Sequence, residues 1–224
     1  MSSIALRSPQ IAFISGSIRS GSFNTQLVVS AERIASALGA KTDIVDLSSF
    51  ELPLYNQDLE AEDGLPPAAV DLKARLGKQD AWVVASPEYN GFPTPLLVNT
   101  LTWLSRGDPD GQMYATFAGK SAIVLSSSPG AMGGMRSLNP ARTLLTNLGV
   151  NVLAPSVAVG GAFKAFDASG DLVDERQQKM LHGAMESLVH TARDVANREA
   201  TCELVKQHLT AGEYGSVSVA GSDV

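Results

Sequence analysis

Residues 11–24 read IAFISGSIRSGSFN: a four-residue apolar run, a break at Ser15-Gly16-Ser17, and a polar loop that ends where helical spacing begins. A short apolar run closed by glycine and serine is the pattern of a strand covered on both faces. From about Asn24 to Leu38 the apolar residues recur every three or four positions, and Gly39 closes the pattern. The unit is strand, loop, helix, and it recurs along the chain. Lys41 to Leu47 (KTDIVDL) is a second strand; Pro66 to Leu76 is a helix with prolines in its first turn and Gly77 at its end. Ala81 to Ala85 (AWVVA) and Ser121 to Leu125 (SAIVL) are strands three and four, followed by helices at Pro95 to Leu104 and Arg136 to Leu148. Asn151 to Val159 carries a fifth strand, interrupted near Pro155, and Val173 to Arg198 is one long helix.

Five such alternations imply an α/β fold: a doubly wound parallel sheet with right-handed crossovers. Five strands fit the flavodoxin-like order 2-1-3-4-5, although the order itself is not readable from one sequence. The expected organisation is a single domain over residues 1–198 and an extension over 199–224. Its last stretch, Thr210 to Val224, is rich in small polar residues and reads as a mobile tail.

Composition narrows the function. Hydrophobic residues make up 44% of the 224 and charged residues 18%, which is a globular rather than a disordered balance. The net charge of −6, from 17 basic and 23 acidic residues, argues against a general nucleic-acid surface. A single cysteine, Cys202, excludes an intramolecular disulfide and a thiolate zinc cluster. No apolar run is long enough for a membrane-spanning helix, and MSSIALRSPQ at the start lacks a signal-peptide core. The expectation is a cytoplasmic protein acting on a small molecule.

In an open parallel sheet, ligands sit beyond the carboxyl ends of the strands. Three loops leave strands at that edge. The first runs Gly16-Ser17-Ile18-Arg19-Ser20-Gly21-Ser22-Phe23-Asn24 into a helix. Hydroxyls, a guanidinium and helix N-terminal amides suit a phosphate monoester; an ordinary capped helix with turn glycines has the same look. The nucleotide patterns GxxxxGK[ST] and GxGxxG are both missing. The second loop is Ser86-Pro87-Glu88-Tyr89-Asn90-Gly91-Phe92-Pro93-Thr94-Pro95, a rigid turn able to aim backbone N–H groups at the edge of a planar ring. The third, Ser126 to Arg136 (SSSPGAMGGMR), is rich in hydroxyls and glycine. Each alone could be a connector; on three successive switch-edge positions they become walls of one cleft.

With these residues in view, the chain resembles the NADPH-dependent FMN reductases, and within them the quinone and chromate reductase branch. The segments that carry the resemblance are GSIRSGSFN at 16–24, LPLYNQDL at 52–59, PEYNG at 87–91, NTLTWLSR at 99–106 and SSSPGAMGGMR at 126–136. The resemblance implies a flavodoxin-like fold, bound FMN, NADPH or NADH as co-substrate, and a homodimer or homotetramer. It implies that Ser17, Arg19, Ser20, Gly21, Ser22, Phe23 and Asn24 hold the FMN phosphate. Pro87, Glu88, Tyr89, Asn90 and Gly91 would line the ring, mainly through backbone groups, with Ser128 approaching from the third loop. The helix after PEYNG departs from the family: Val98 and Thr102 stand where charged residues are usual, and Pro93 and Pro95 alter the approach to it.

Several residues read as bystanders. His182 and Glu186 have helical spacing that could offer two metal ligands, but a solvated helix face explains them, and no HExxH exists. Glu51, Asp58, Glu60, Glu62 and Asp63 read as a solvated acidic loop. The serines lack a GxSxG elbow. The function implied is hydride transfer from nicotinamide to flavin and on to a quinone, flavin, azo or oxidised metal acceptor. Hydride transfer requires no side-chain acid, base or nucleophile, so no catalytic residue and no metal ligand is named. The rivals are an electron-carrying flavodoxin and a partner-binding member of the fold that has lost FMN. The GSIRSGSFN loop differs from the threonine-rich phosphate loop of flavodoxins.

Overall fold

A computed structural model describes residues 6–107 and 113–211. Its five strands are β1 (Gln10–Ser15), β2 (Lys41–Val45), β3 (Ala81–Ala85), β4 (Ser121–Ser127) and β5 (Asn151–Val159). Six helices surround them: α1 (Phe23–Ala37), α2 (Gln57–Asp63), α3 (Pro67–Gly77), α4 (Pro95–Ser105), α5 (Leu138–Asn147) and α6 (Glu175–Ala211). The strands are all parallel, in the order β2-β1-β3-β4-β5.

Successive residues of a strand point to opposite faces, and here both faces are apolar. Ile11, Phe13, Val83, Ile123 and Leu125 pack under α1 and α6, against Leu27, Val28, Leu181 and Leu188. Ala12, Ile14, Trp82, Val84 and Val124 pack on the other face against Leu72, Leu97, Leu101 and Phe117. Each large side chain fully buried in this way contributes about 1.5–3 kcal/mol of hydrophobic stabilisation. The two layers bury β1, β3 and β4 almost completely, so the loops at the ends of these central strands make the surface that can hold a ligand.

The opposite edge is closed by charge. Asp80, 6% exposed, accepts from both terminal nitrogens of Arg7 at 2.6 and 2.7 Å and from the Gln10 N–H at 2.8 Å. Buried Lys120 donates to the carbonyls of Gly77 and Gln79 at 2.9 and 2.5 Å, which satisfies the end of α3. Burial lowers its pKa from the ordinary lysine value. Asn197 of α6 exchanges hydrogen bonds with the backbone of Arg7 at 2.9 and 3.2 Å, tying the last helix to the start of the chain.

The structure corrects several boundaries. The second strand ends at Val45, and Leu47–Ser49 is a short 3-10 turn capped by Asp46. The acidic stretch is not a solvated loop: Gln57–Asp63 is helical, with the Asn56 side chain accepting from the Asp58 N–H at 2.8 Å. A 3-10 turn at Met135–Ser137 precedes α5, so the regular helix starts at Leu138 rather than Arg136. β5 is one continuous strand, and the interruption expected near Pro155 is one of pairing with β4. The strand pairs Val152 with Ala122 and Ser156 with Val124, four residue steps against two, and the proline sits inside that bulge on the edge strand. The last helix begins at Glu175, after Asp174 caps it by accepting from the Gln177 N–H at 2.8 Å, and continues to Ala211 instead of stopping at Arg198. Thr210 and Ala211 close that helix; the remainder of the expected tail, 212–224, lies outside the described residues.

Candidate functional site

The three loops meet at the carboxyl edge of β1, β3 and β4, and buried polar side chains tie them together. Asn24, 3% exposed in the first turn of α1, donates from Nδ2 to the Ser127 carbonyl at 2.8 Å and accepts from the Ser127 N–H at 3.0 Å. These bonds join the first loop to the third across 103 residues of sequence. Thr94 joins the first to the second. Its Oγ1 donates to the Gly16 carbonyl at 2.7 Å and accepts from the Leu97 N–H at 3.3 Å, which caps α4. Gly16 itself donates to the Ala85 carbonyl at 2.7 Å. A side chain at Gly16 would meet Thr94 Oγ1 at 3.1 Å and Leu97 Cβ at 3.3 Å, so the close approach of first and second loops favours glycine.

Glu88 joins the second loop to the third. Its carboxylate accepts from the Arg136 backbone N–H at 3.1 Å and from Arg136 Nε at 2.6 Å, and an Arg136 terminal nitrogen completes the pair. The Glu88 side chain is therefore committed to Arg136, which leaves the backbone as the loop's remaining polar surface. That backbone is a tight hairpin. Tyr89 and Phe92 exchange N–H···O bonds of 2.9 and 3.0 Å around Asn90 (φ 54°) and Gly91 (φ 85°). Positive φ at both central residues is the type I′ turn that Asn-Gly favours.

The first loop supplies donors. Ser22 caps α1, accepting from the Thr25 N–H at 3.4 Å, and Ser17 Oγ accepts from the Arg19 N–H at 3.3 Å. Among the described residues, the backbone N–H groups of Ser17, Ile18, Ser20 and Gly21 have no acceptor, and those of Phe23 and Asn24 open the helix, where no intrahelical acceptor exists. Arg19 curls back: its terminal nitrogens donate to the carbonyls of Ser20 and Gly21, both at 3.0 Å, and its guanidinium lies 5.5 Å from the Phe23 ring centroid. A run of free N–H groups beside a guanidinium and the Ser20 hydroxyl fits a phosphate. The donor set matches the FMN phosphate by its chemistry alone.

In the third loop Ser128 donates its N–H to the Val159 carbonyl at 3.1 Å and accepts from the Gly130 N–H at 3.2 Å through Oγ. The glycines behind it are obligatory. A Cβ on Gly133 (φ 61°) would stand 2.6–2.7 Å from backbone atoms of Val159 and Gly160, and one on Gly134 would collide with Ser126 Oγ. Ser126 Oγ is buried without a hydrogen-bond partner among the described residues.

Thr94, Ser86 and Arg136, which the loop pattern alone does not single out, are the ties in the structure. Ser86 Oγ accepts from the Thr94 N–H at 3.3 Å, and Ser137 Oγ reaches the Ser86 carbonyl at 3.4 Å. A Thr before Pro at a helix start is the sequence signal for such a cap.

The family-like segments 52–59 and 99–106 fit each other. Asn99 of α4 accepts from the Tyr55 N–H at 2.8 Å and donates to the Pro53 carbonyl at 2.9 Å, where Trp103 Nε1 also donates at 2.7 Å. Glu60 of α2 accepts from Tyr55 OH at 2.8 Å and from Arg106 Nε at 2.9 Å. Tyr55 packs edge-on against Trp103, with centroids 5.1 Å apart. Elsewhere, the His182–Glu186 pair lies on an exposed helix face at 3.6 Å, and Cys202 is exposed.

Burial opposes ionisation of Glu60, but the hydrogen bonds from Arg106 and Tyr55 outweigh it, so its pKa falls below the ordinary glutamate value. A depressed folded-state pKa stabilises the fold above the unfolded-state value, about 4.3, and that stability is lost as pH falls through the folded value. Glu60→Gln should therefore be less stable than the parent at pH 7 in urea unfolding, and the gap should shrink as pH drops below about 4.3. A pH-independent gap would show that the ion pair is not its source.

The sequence pattern of the NADPH-dependent FMN reductases matches residues 9–164. An NAD(P)H-dependent FMN reductase of Pseudomonas aeruginosa is 35% identical over 176 residues, covering 78% of this chain and 90% of that protein. A quinone reductase of Escherichia coli is 31% identical over 179 residues, covering 79% and 91%. Among solved structures, the flavoenzyme NAD(P)H:(acceptor) oxidoreductase FerB of Paracoccus denitrificans superposes with a TM-score of 0.72 at 26% identity, over 83% of this chain and 98% of that one.

Proposed function

The chain belongs to the NADPH-dependent FMN reductase family, and we propose that its three interlocked loops form the cleft of an NAD(P)H-dependent flavin oxidoreductase whose acceptor is a small apolar oxidant such as a quinone. The observation that carries this reading is the pairing of a free N–H nest in the first loop with an apolar rim around the cleft. Ile18, Tyr89, Phe92, Met132 and Met135 are all 49–63% exposed on these loops. Exposed aromatic and thioether side chains at a polar-floored cleft favour flat apolar molecules.

The hydride-carrying chemistry between nicotinamide and acceptor would be supplied by bound FMN. The protein binds and orients. Free N–H groups of residues 17–24 and the charge of Arg19 take the phosphate, with Ser17, Ser20 and Ser22 adding hydroxyls beside Gly21 and Phe23. The Asn90-Gly91 turn, stiffened by Pro87 and by the Glu88–Arg136 pair, offers its backbone to the ring edge, and Ser128 closes the third side. The domain that does this spans 1–198, with 199–224 an extension, and the reading places it in the cytoplasm, where nicotinamide dinucleotides are abundant. No helix of the described residues is long and apolar enough to cross a membrane.

The test is anaerobic mixing of the FMN-loaded protein with NADH or NADPH alone. The visible flavin band should bleach by two electron equivalents without any partner protein. A carrier would stay oxidised with both nicotinamides and be reduced only by a partner reductase.

Assembly is part of the same reading. Leu97, Leu101, Trp103 and Leu104 are buried within the protomer. The apolar surface left exposed is different: Leu54 at 82%, Phe92 at 63%, Tyr114 at 43% and Val98 at 39%. Leu54 sits on the segment docked against α4, and Val98 on α4 itself. That surface supports a homodimer or homotetramer. Sedimentation should show a dimer or larger at micromolar concentration, with Leu54→Glu shifting it toward monomer; a clean monomer for the parent would defeat the proposal.

A further inference from the structure

A cavity of about 520 Å³ opens at the carboxyl end of β5, between the turn that follows the strand and the first turn of α6. None of the three loops lines it, yet it shares a wall with the third. Gly160 and Gly161 form that wall. Gly161 donates to the Gly130 carbonyl at 3.3 Å and Ala162 to the Ser128 carbonyl at 3.2 Å. A Cβ on Gly160 would collide with the Ala131 carbonyl, so the cavity and the third loop stay in fixed register.

The chemistry of the cavity is specific in three respects. Lys164 and Arg176 both line it, and neither side chain has a hydrogen bond or ion pair among the described residues. Arg7, Arg33, Arg75, Arg106 and Arg136, by contrast, are each paired with a carboxylate. Two free cations on one cavity call for an anion with more than one charged oxygen. Phe163 does not line the cavity but stands next to Lys164 at its margin, 78% exposed and edge-on to Phe23, with centroids 5.2 Å apart. The contact fixes the ring while leaving a face bare, which suits a stacked heteroaromatic base. Two carboxylates complete the lining. Asp174 is engaged in capping α6, whereas Glu175 is left as an acceptor for hydroxyl groups.

Phosphates, a base and a hydroxylated sugar occur together in the adenosine diphosphate half of a nicotinamide dinucleotide. We propose that this cavity binds that half of the co-substrate, with Lys164 and Arg176 on its phosphates, Phe163 on the adenine and Glu175 on ribose hydroxyls. The proposal rests on the reductase reading for its choice of dinucleotide. A remote half bound in this way lowers the concentration needed to fill the cleft without entering the chemistry. NADH and NADPH both carry it, and the 2′-phosphate of NADPH would meet Glu175 as a like charge.

The test compares the FMN-loaded parent with Lys164→Ala/Arg176→Ala and with Phe163→Ala, using NADH, NADPH and 1-benzyl-1,4-dihydronicotinamide, which has no adenosine, phosphate or ribose. The double variant should raise KM for NADH, NADPH or both by about tenfold, the scale of one lost charge-assisted contact near the surface. Its kcat should stay within about twofold, as remote binding without chemistry requires, and turnover of the benzyl compound should be unaffected. Whichever dinucleotide shows the rise is the one the cavity holds. Unchanged KM for both dinucleotides, or an equal loss with the benzyl compound, overturns the proposal. Calorimetric titration with ADP needs no turnover, so it separates this proposal from the reductase reading. ADP should bind the parent and bind the double variant about tenfold more weakly; equal binding, or none to the parent, also overturns it.

Discussion

The side-chain amide of Asn24 bonds the backbone of Ser127 in both directions from a buried position. A parallel sheet covered on both faces has no room for ligands except at its ends, and the backbone at those ends leaves the ladder unpaired. Something must satisfy it. Asn24 satisfies one such end at β4 with a residue from the start of α1, and so fixes the first loop against the third. Thr94 repeats the device between Gly16 and α4, and Glu88 repeats it between the second loop and Arg136. The Asn24 and Thr94 ties contribute a net of only about 0.5–1.5 kcal/mol per neutral hydrogen bond. Their combined effect is positional: three loops far apart in sequence become one rigid rim.

Glycine makes the same rim thin. Gly133, Gly134 and Gly160 each pack where a Cβ would strike backbone or a buried serine. The third loop can therefore lie directly on the end of β5, and whatever occupies the cavity beyond β5 shares that wall with the cleft. The first loop works oppositely. The N–H groups of Ser17, Ile18, Ser20 and Gly21 are left without partners among the described residues, which is tolerable only because that part of the loop is exposed and an anion or water can reach them.

The sheet and its order agree with what the sequence implies, because two-sided burial writes strands as plain apolar runs such as AWVVA and SAIVL. The loops were visible because serine, glycine and proline cluster only where strands stop. What escaped reading depends on partners distant in sequence. QDLEAED has no apolar periodicity, and it is helical because Asn56 caps it and Glu60 meets Arg106. The burial of Leu97, Leu101 and Trp103 is equally illegible locally, because the residues that cover them, Leu72, Phe117 and Tyr55, lie on other elements. The extension of α6 past Arg198 was legible and was missed: no glycine or proline occurs from there until Gly212. The roles of individual loop residues toward FMN rest on resemblance and donor chemistry together. Asn24 shows the gap between the two, since its amide is already engaged by Ser127.

The central claim is that the three loops act as one flavin cradle. Hydrogen exchange of the FMN-free protein, followed by mass spectrometry with and without FMN, tests it most directly. The account predicts slowed exchange on FMN addition in all three segments, 17–24, 88–91 and 128–134, saturating at one FMN concentration, while the backbone of α3 and β2 is unchanged. Protection confined to one segment, or protection elsewhere with these three unaffected, would contradict it.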